Sequence, residues 1–184
     1  MAADTVSPAD LEGDLTQVEQ LVKDMLTYAR AESPDGPREL VKLAEFVRAL
    51  SDASPYPVLL SLEGGEDFEI AADRVALRRL FENLIENARR YGGGAVSLAY
   101  DRGGDGVDIR VEDDGPGLPE DELEAVFQPF RRLEASRNRE TGGSGLGLGI
   151  ARAIARAHGA SLRLENRPQG GLAAIVHFPD IVRT

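Results

Sequence analysis

The chain has 184 residues, of which 42% are hydrophobic and 29% are charged, an ordinary composition for a globular protein. Its formal net charge of -11 disfavours a general nucleic-acid binder, which needs a basic face for the phosphates. The absence of cysteine excludes disulfides, thiolate metal sites and a cysteine nucleophile. No apolar run approaches the roughly 20 residues that span a bilayer, and no signal-peptide pattern begins the sequence. We therefore expect the chain to be cytoplasmic, although a larger parent protein could be membrane-anchored.

The first predicted helix covers residues 9–31. Its apolar residues alternate four and three apart, a heptad pattern typical of a seam between helices. The pattern favours a helix in a dimer or a bundle, while an amphipathic helix packed on its own domain stays open. The segment Ser-Pro-Asp-Gly-Pro at 33–37 then ends the helix and is typical of a linker. The apolar positions of the seam are Leu11, Leu15, Val18, Val22, Met25 and Ala29.

The following segments alternate between helices and strands. Residues 39–53 predict a second helix, and 58–63 and 67–72 predict two strands paired around a Gly-Gly turn. Helices between strand pairs predict an α+β fold, with one mixed sheet and helices on one face. The later predicted elements are a helix at 74–91 with Asp73 as its N-cap, strands at 95–100 and 106–112, a short helix at 119–127, a helix at 146–158, and strands at 161–166 and 172–179.

Two asparagines on the long helix form the first candidate site. Asn83 and Asn87 are four residues apart and lie on the same face. An amide is unfavourable in mid-helix because it competes for backbone hydrogen bonds. Two amide oxygens can serve Mg²⁺, which takes few protein ligands and keeps waters and phosphate oxygens. Arg90 and Tyr91 follow one turn later and could contact a phosphate and a base, while a solvated polar face remains the alternative.

The segment VEDDGPGLP at 111–119 is the second candidate site. Asp113 is predicted as the last residue of a strand at the edge of a cleft. A carboxylate there can accept a hydrogen bond from the exocyclic amine of adenine. Gly115 and Gly117 let the backbone pass close to a ligand. A β-turn with solvated acids is the alternative.

The third candidate site is a glycine-rich segment at 140–150. Gly143, Gly145 and Gly147 alternate and run directly into a helix, where backbone N–H groups can bind phosphates. The segment does not follow a strand, as the Rossmann fingerprint requires, and the sequence has no P-loop motif. A flexible linker preceded by a solvated loop is the alternative. The arginines of that preceding loop are Arg131, Arg132, Arg137 and Arg139.

In this order, the three sites resemble the motifs of the Bergerat-fold (GHKL) ATPases, and specifically of sensor histidine kinases. NLIENARRY resembles their N box, DDGPGLP their G1 box, FQPF their F box and GGSGLGLGI their G2 box. The segment from the F box to the G2 box resembles kinases of the RstB type. The resemblance implies a two-layer α/β sandwich plus an N-terminal helix. It divides the chain into a remnant of the dimerisation helix at 1–33, a linker at 34–38 and a catalytic ATP-binding domain at 39–184.

The resemblance also implies roles for individual residues. Asn87 matches the Mg²⁺-coordinating asparagine, Asp113 the adenine-reading aspartate and Arg132 a catalytic lid cation near the γ-phosphate. Asn83 matches the position at which hydrolytic relatives such as gyrase carry a water-activating glutamate. An amide cannot act as a general base, which favours a kinase over a hydrolase. The other implied nucleotide contacts are Arg90, Tyr91, Gly115, Gly117, Gly143, Ser144, Gly145, Leu146 and Gly147.

The phosphoacceptor histidine of the family has no counterpart in this sequence. The two histidines, His158 and His177, are both expected to be structural. We therefore expect a catalytic fragment that binds ATP and Mg²⁺ but does not phosphorylate itself. The implied partners are the acceptor helix of a parent kinase in the inner membrane, a response regulator, and a second copy through residues 9–31. An ATPase of the GHKL type and a nucleotide-binding interaction module without kinase activity are the alternatives.

Overall fold

The computed structural model describes residues 8–31, 36–62, 68–103, 105–131, 144–179 and 182–183. Within these ranges the chain forms four α-helices and eight strands. The helices are α1 (Pro8–Ala31), α2 (Leu43–Ala53), α3 (Arg74–Tyr91) and α4 (Gly147–Ala157). The strands are β1 (Glu39–Lys42), β2 (Val58–Leu62), β3 (Phe68–Ala72), β4 (Val96–Gly103), β5 (Gly106–Asp113), β6 (Ser161–Asn166), β7 (Leu172–Phe178) and β8 (Val182–Arg183).

The largest sheet has five strands in the order β2-β4-β5-β7-β6. Its β2–β4 pair is parallel and its other pairs are antiparallel, so the sheet is mixed. Helices α3 and α4 pack together on the apolar face of this sheet, and α2 packs beside them. The predicted α/β sandwich with an N-terminal helix is confirmed.

The alternation along β5 determines which side chains reach the helix layer. Ile109 and Val111 are buried against the helices, whereas Arg110 lies on the opposite face and forms an ion pair with Asp101. Because side chains alternate along a strand, Asp113 lies on the same side as Ile109 and Val111. The carboxylate at the end of β5 therefore points into the layer that α3 and α4 occupy.

The predicted start of the second helix is wrong. Residues Glu39–Lys42 form β1, which pairs antiparallel with β3 in the register Val41↔Ile70. Val41 is buried between exposed neighbours, so pairing and burial override a helical pattern that is ambiguous over four residues.

The predicted pairing of the strands at 58–63 and 67–72 is also wrong. β2 pairs in parallel with β4, whereas β3 pairs antiparallel with β1 and with β8. The two strands thus belong to different sheets, and a three-stranded sheet, β1-β3-β8, accompanies the large one. A Gly-Gly turn indicates a reversal of the chain but does not fix the partner of either strand.

The predicted short helix at 119–127 is replaced by two 3-10 turns. These turns cover Glu120–Glu122 and Ala125–Phe127. The nine-residue segment is too short for a helix that propensity alone could stabilise. Burial of Val126 and Phe127 in the core sets its conformation instead.

Helix α1 packs on α4 through one face and leaves the predicted seam exposed. Thr27 is 7% exposed, and a Cβ on Gly149 would come within 3.4 Å of the Tyr28 ring. Among the described residues, no helix is both long and apolar enough to cross a membrane. Part of the predicted linker, residues 34–35, lies outside the described residues, and the division into three parts stays a prediction. The seam residues with about half or more of their surface exposed are Leu15, Val18, Val22 and Met25.

Candidate functional site

Helix α3 carries the first predicted part of the site. The carboxylate of Asp73 caps it by accepting hydrogen bonds from the N–H groups of Val75 and Ala76, at 2.9 and 3.1 Å. The N-cap prediction is confirmed. Asn83 and Asn87 lie beside the buried face of the helix and are partly exposed. The residues that bury this face include Leu77, Leu80, Leu84 and Ala88.

Asn83 lies beside the N-terminus of α4. Its Nδ2 donates to the carbonyl of Arg79 at 2.9 Å. A Cβ on Gly147 would come within 3.3 Å of Asn83 Oδ1, so the glycine lets the two helices approach closely. The side chain is an amide with its donor in use, and it cannot remove a proton from water.

Asn87 lies one turn further along α3. Its side-chain amide has no hydrogen-bond partner among the described residues and is therefore available to an external ligand. One amide oxygen fits a cation such as Mg²⁺, which completes its shell with phosphate oxygens and water.

Arg90 is held against α3 by an acidic neighbour. Glu86 accepts hydrogen bonds from Arg89 at 2.8 and 3.0 Å and from Arg90 at 3.1 Å. The bond from Arg89, followed by that from Arg90, lowers the pKa of the Glu86 carboxyl. To contact a phosphate, Arg90 would have to share or leave this carboxylate. Tyr91, the last helical residue, is 40% exposed.

Asp113 ends β5, as predicted, and is 7% exposed. Its Oδ1 accepts hydrogen bonds from the N–H groups of Gly115 at 2.9 Å and Leu172 at 3.2 Å. Burial raises the pKa of this carboxyl, and the two backbone N–H groups oppose the effect. The second oxygen, Oδ2, has no hydrogen-bond partner among the described residues. It can accept a hydrogen bond from a ligand.

The turn after Asp113 packs directly on the end of α3. A Cβ on Gly92 would lie 2.2 Å from the Cβ of Asp113, and a Cβ on Gly115 would lie 2.8 Å from the carbonyl oxygen of Tyr91. Gly117 has a φ of +72°. Close contacts within the protein require glycine at these positions. The sequence alone does not reveal these contacts.

Asn166, at the end of β6, holds the same turn and is not among the predicted site residues. Its Oδ1 accepts a hydrogen bond from the N–H of Leu118 at 2.9 Å, and its Nδ2 donates to the Leu118 carbonyl at 2.7 Å. The next residue, Arg167, donates to the carbonyl of Asp113 at 2.6 Å. A polar residue between a strand and a Gly-Gly turn can be recognised in the sequence as a candidate turn residue. Its partner, Leu118, lies 48 residues earlier and cannot be recognised in the same way.

The described residues that flank the segment 132–143 are in contact with each other. The N–H of Phe130 donates to the carbonyl of Gly145 at 3.1 Å, and Gly145 has a φ of +71°, which favours glycine. Arg131 forms two hydrogen bonds with Glu122, at 2.9 and 3.1 Å, and so faces a carboxylate instead of the predicted phosphate. The predicted residues outside the described part of the chain are Arg132, Arg137, Arg139 and Gly143.

The start of α4 is joined to α1 by two successive hydrogen bonds. The N–H of Leu146 donates to Ser144 Oγ at 3.3 Å, and the Ser144 hydroxyl donates to Asp24 Oδ2 at 2.6 Å. Ser144 and Leu146 thus lie at the N-terminus of a helix, as predicted. Sequence reasoning does not identify Asp24, because its contact spans 120 residues.

Helix α3 brings the described parts of the predicted site together. Asn83 faces the N-terminus of α4, and Gly92 contacts Asp113. The helix between Asn83 and Gly92 is about 13 Å long. The site therefore has helix-terminal N–H groups at one end and a carboxylate acceptor at the other, which suits an elongated ligand with phosphates and a base.

A second, open cleft of about 620 Å³ lies beside α4, away from these groups. Tyr28, Phe127 and Arg152 are among the residues that line it, and none of the predicted site residues does. The chemistry of the site, and not the size of a cavity, therefore identifies the candidate.

Comparisons with known proteins show which family this chain is similar to. A family model described as "Histidine kinase-, DNA gyrase B-, and HSP90-like ATPase" matches residues 72–181. The sensor protein RstB of Escherichia coli K12 is 33% identical over 186 residues, covering 96% of this chain and 43% of RstB. This chain thus spans less than half the length of that relative.

Two solved structures extend the comparison. The ATP binding domain of PrrB from Mycobacterium tuberculosis is 31% identical with a TM-score of 0.60, covering 77% of this chain and 96% of that one. Full-length ShkA in complex with AMPPNP has a TM-score of 0.75 at 22% identity, covering 95% of this chain and 38% of ShkA. At that identity the ShkA likeness concerns the fold alone.

Proposed function

The chain belongs to the family of histidine kinase-, DNA gyrase B- and HSP90-like ATPases, and we propose that it acts as the ATP-binding catalytic domain of a sensor histidine kinase. In this function the site holds ATP and supplies its γ-phosphoryl group to a histidine outside this chain. The observation that carries the proposal is the half-satisfied carboxylate of Asp113 at one end of α3, opposite the N-terminus of α4 at the other.

The base end of the site is selective for adenine. Asp113 Oδ1 is occupied by two backbone N–H groups, so the carboxylate is fixed and only Oδ2 is offered to the ligand. An acceptor at this place pairs with the amino group of adenine, whereas guanine presents a carbonyl there. Tyr91 lies at the same end of α3 and provides a ring against which the base can pack.

The phosphate end is formed by the start of α4. The N–H groups at the first turn of a helix bind anions, and Ser144, Gly145, Leu146 and Gly147 lead into that turn. Arg132 adds the positive charge that stabilises phosphoryl transfer. Arg90 lies in the last turn of α3, nearer the base end, and would reach a phosphate only by sharing or leaving Glu86. Gly143 would extend the same backbone cradle.

Asn87 is the residue that would hold Mg²⁺, since its amide is half-buried and without a protein partner among the described residues. The ion would neutralise charge on the phosphates of the bound nucleotide. Asn83 supports transfer to a histidine over transfer to water, because no general base stands at its position. A hydrolase of the GHKL type is therefore disfavoured.

Neither histidine of this chain is suited to accept the phosphoryl group. His158 Nε2 accepts a hydrogen bond from the Asp73 N–H at 3.1 Å, and its Nδ1 lies 2.8 Å from the carbonyl of Ile154. His177 has Asp108 and Asp105 at its two ring nitrogens, at 2.7 and 3.2 Å. The acceptor would then lie on a dimerisation helix of a parent kinase, which passes the group to a response regulator.

The exposed seam of α1 supports pairing of two copies, since its apolar residues face away from the catalytic domain. A parent kinase anchored in the inner membrane would place this domain on the cytoplasmic side. Pairing through α1 and anchoring in the inner membrane are both proposed for the whole kinase on the basis of its family.

Incubation with ATP labelled at the γ-phosphate tests the function. We expect the chain alone to gain no acid-labile label, and the label to appear on a separate histidine-bearing hairpin from a related kinase when both are mixed. Asp113→Ala, which removes the adenine contact, is the matched control and should transfer no label. Stoichiometric acid-labile label on the chain itself would contradict the proposal, and so would steady phosphate release that Asp113→Ala abolishes.

A further inference from the structure

Asp24 reaches the phosphate end of the site from α1. The Ser144 hydroxyl donates to Asp24 Oδ2 at 2.6 Å, and Ser144 Oγ accepts the N–H of Leu146 at 3.3 Å. The Asp24 carboxylate thus accepts a hydrogen bond from the Ser144 hydroxyl, and Ser144 Oγ accepts one from the Leu146 N–H at the start of α4. One group of the proposed phosphate site, the Ser144 hydroxyl, is therefore occupied by α1, and the same serine occupies the Leu146 N–H.

A bound phosphate would need the same groups. A serine hydroxyl has one proton, so Ser144 cannot donate to Asp24 and to a phosphate at once. Leu146 presents its N–H at the helix start, where anions bind. A carboxylate and a phosphate at neighbouring positions also repel each other, the more so where water is partly excluded, and Asp24 is half-buried.

The contact is kept in place by the packing of α1. Thr27 is buried, Tyr28 lies against Gly149 of α4, and Leu21 packs against the core. Leu21 lies three positions before Asp24, and Thr27 and Tyr28 lie three and four positions after it. All three therefore lie on the same face of α1 as Asp24. Seating of α1 on α4 therefore brings the Asp24 carboxylate to Ser144.

We propose that Asp24 regulates the nucleotide site: docked α1 competes with the nucleotide phosphates for the Ser144 hydroxyl, so that docking and nucleotide binding oppose each other. The inference rests on the proposed function, since it requires phosphates at the start of α4. Because coupling between two binding events is reciprocal, the nucleotide loosens α1 by the same factor by which α1 weakens the nucleotide. Movement of α1 would then change the affinity of the site for ATP.

Calorimetric titration with AMPPNP and Mg²⁺ tests this on three proteins. Asp24→Asn keeps the size of the side chain and an acceptor but removes the charge, and we expect roughly three- to tenfold tighter binding. Glu19→Gln makes the same change of charge at an exposed position of α1 and should bind like the wild type. Hydrogen exchange adds a second readout: AMPPNP should speed exchange of amides 21–31 in the wild type, and less so in Asp24→Asn.

The outcomes separate the inference from the function it rests on. Equal affinities for the wild type and Asp24→Asn would overturn the inference and leave the function intact. Weaker binding by Asp24→Asn would overturn it too, since the carboxylate would then assist the nucleotide or its metal. No binding by any of the three proteins would overturn the proposed function, and the inference with it.

Discussion

At the residue scale, polar side chains of the site use one atom for a hydrogen bond within the protein and leave another atom for a ligand. Asp113 uses Oδ1 within the fold and offers Oδ2, while Asn83 uses Nδ2 on its own helix. These residues could be predicted from the sequence because their spacing and neighbours resemble the N and G1 boxes of the Bergerat-fold ATPases. It does not reveal which atom is engaged, or that Asn166 and Asp24 contribute, since those contacts join residues that are distant in the chain.

The substitution Asp113→Asn tests how the fold tolerates this buried acid. The amide keeps an oxygen to accept from Gly115 and Leu172 but removes the charge that burial disfavours. We expect the variant to be at least as stable as the wild type at neutral pH, since burial raises the pKa of the Asp113 carboxyl and so disfavours its charged form. Urea denaturation monitored by circular dichroism measures the difference in free energy of unfolding.

The pH dependence of that difference follows from the raised pKa of Asp113. A carboxyl whose pKa is higher in the folded state contributes stability below its ordinary value of 3.8 and loses it as the pH rises through the raised value. The stability of the wild type relative to Asp113→Asn should therefore fall as the pH increases from 3.8 towards neutrality. A difference that grows in favour of the wild type over that range would contradict the assignment.

At the element scale, the local sequence pattern is sufficient to predict a helix or strand where that element is long and strongly periodic. The predictions for α3, α4 and β4 to β7 are confirmed because each has a regular apolar face and a turn or cap at its ends. Predictions failed at β1, at the pairing of β2 with β3, and at the two 3-10 turns. In each of these cases the conformation depends on a partner that is remote in sequence or on burial of a few side chains.

The cap of α3 offers a test at this scale. Asp73→Ala removes the acceptor for two backbone N–H groups, and we expect a loss of about 1 kcal/mol in free energy of unfolding. Asp73→Ser retains a capping oxygen and should keep most of the stability. Equal losses for the two variants in urea denaturation would show that capping is not the role of Asp73.

At the scale of the whole molecule, the sandwich places the site on the helix side of the large sheet. The strand β5 delivers Asp113 to that side, and α3 connects it to the start of α4. The resemblance of the four boxes predicted this arrangement, since their order fixes the fold to which they belong. It could not predict that α1 would seat on α4 with its heptad seam exposed, because either face of that helix could have packed inward.

The proposed function requires that this chain bind ATP through Asp113 and α3, with Mg²⁺ at Asn87. Calorimetric titration of the wild type and of Asp113→Asn with AMPPNP, each with and without Mg²⁺, is the decisive test of this binding mode. We predict binding at one site that Mg²⁺ strengthens, and an affinity about tenfold or more weaker in the folded Asp113→Asn variant, because its amide turns an N–H donor toward the adenine amine. No binding by the folded wild type would rule out an ATP site, and equal affinities for the two proteins would rule out an adenine contact at Asp113.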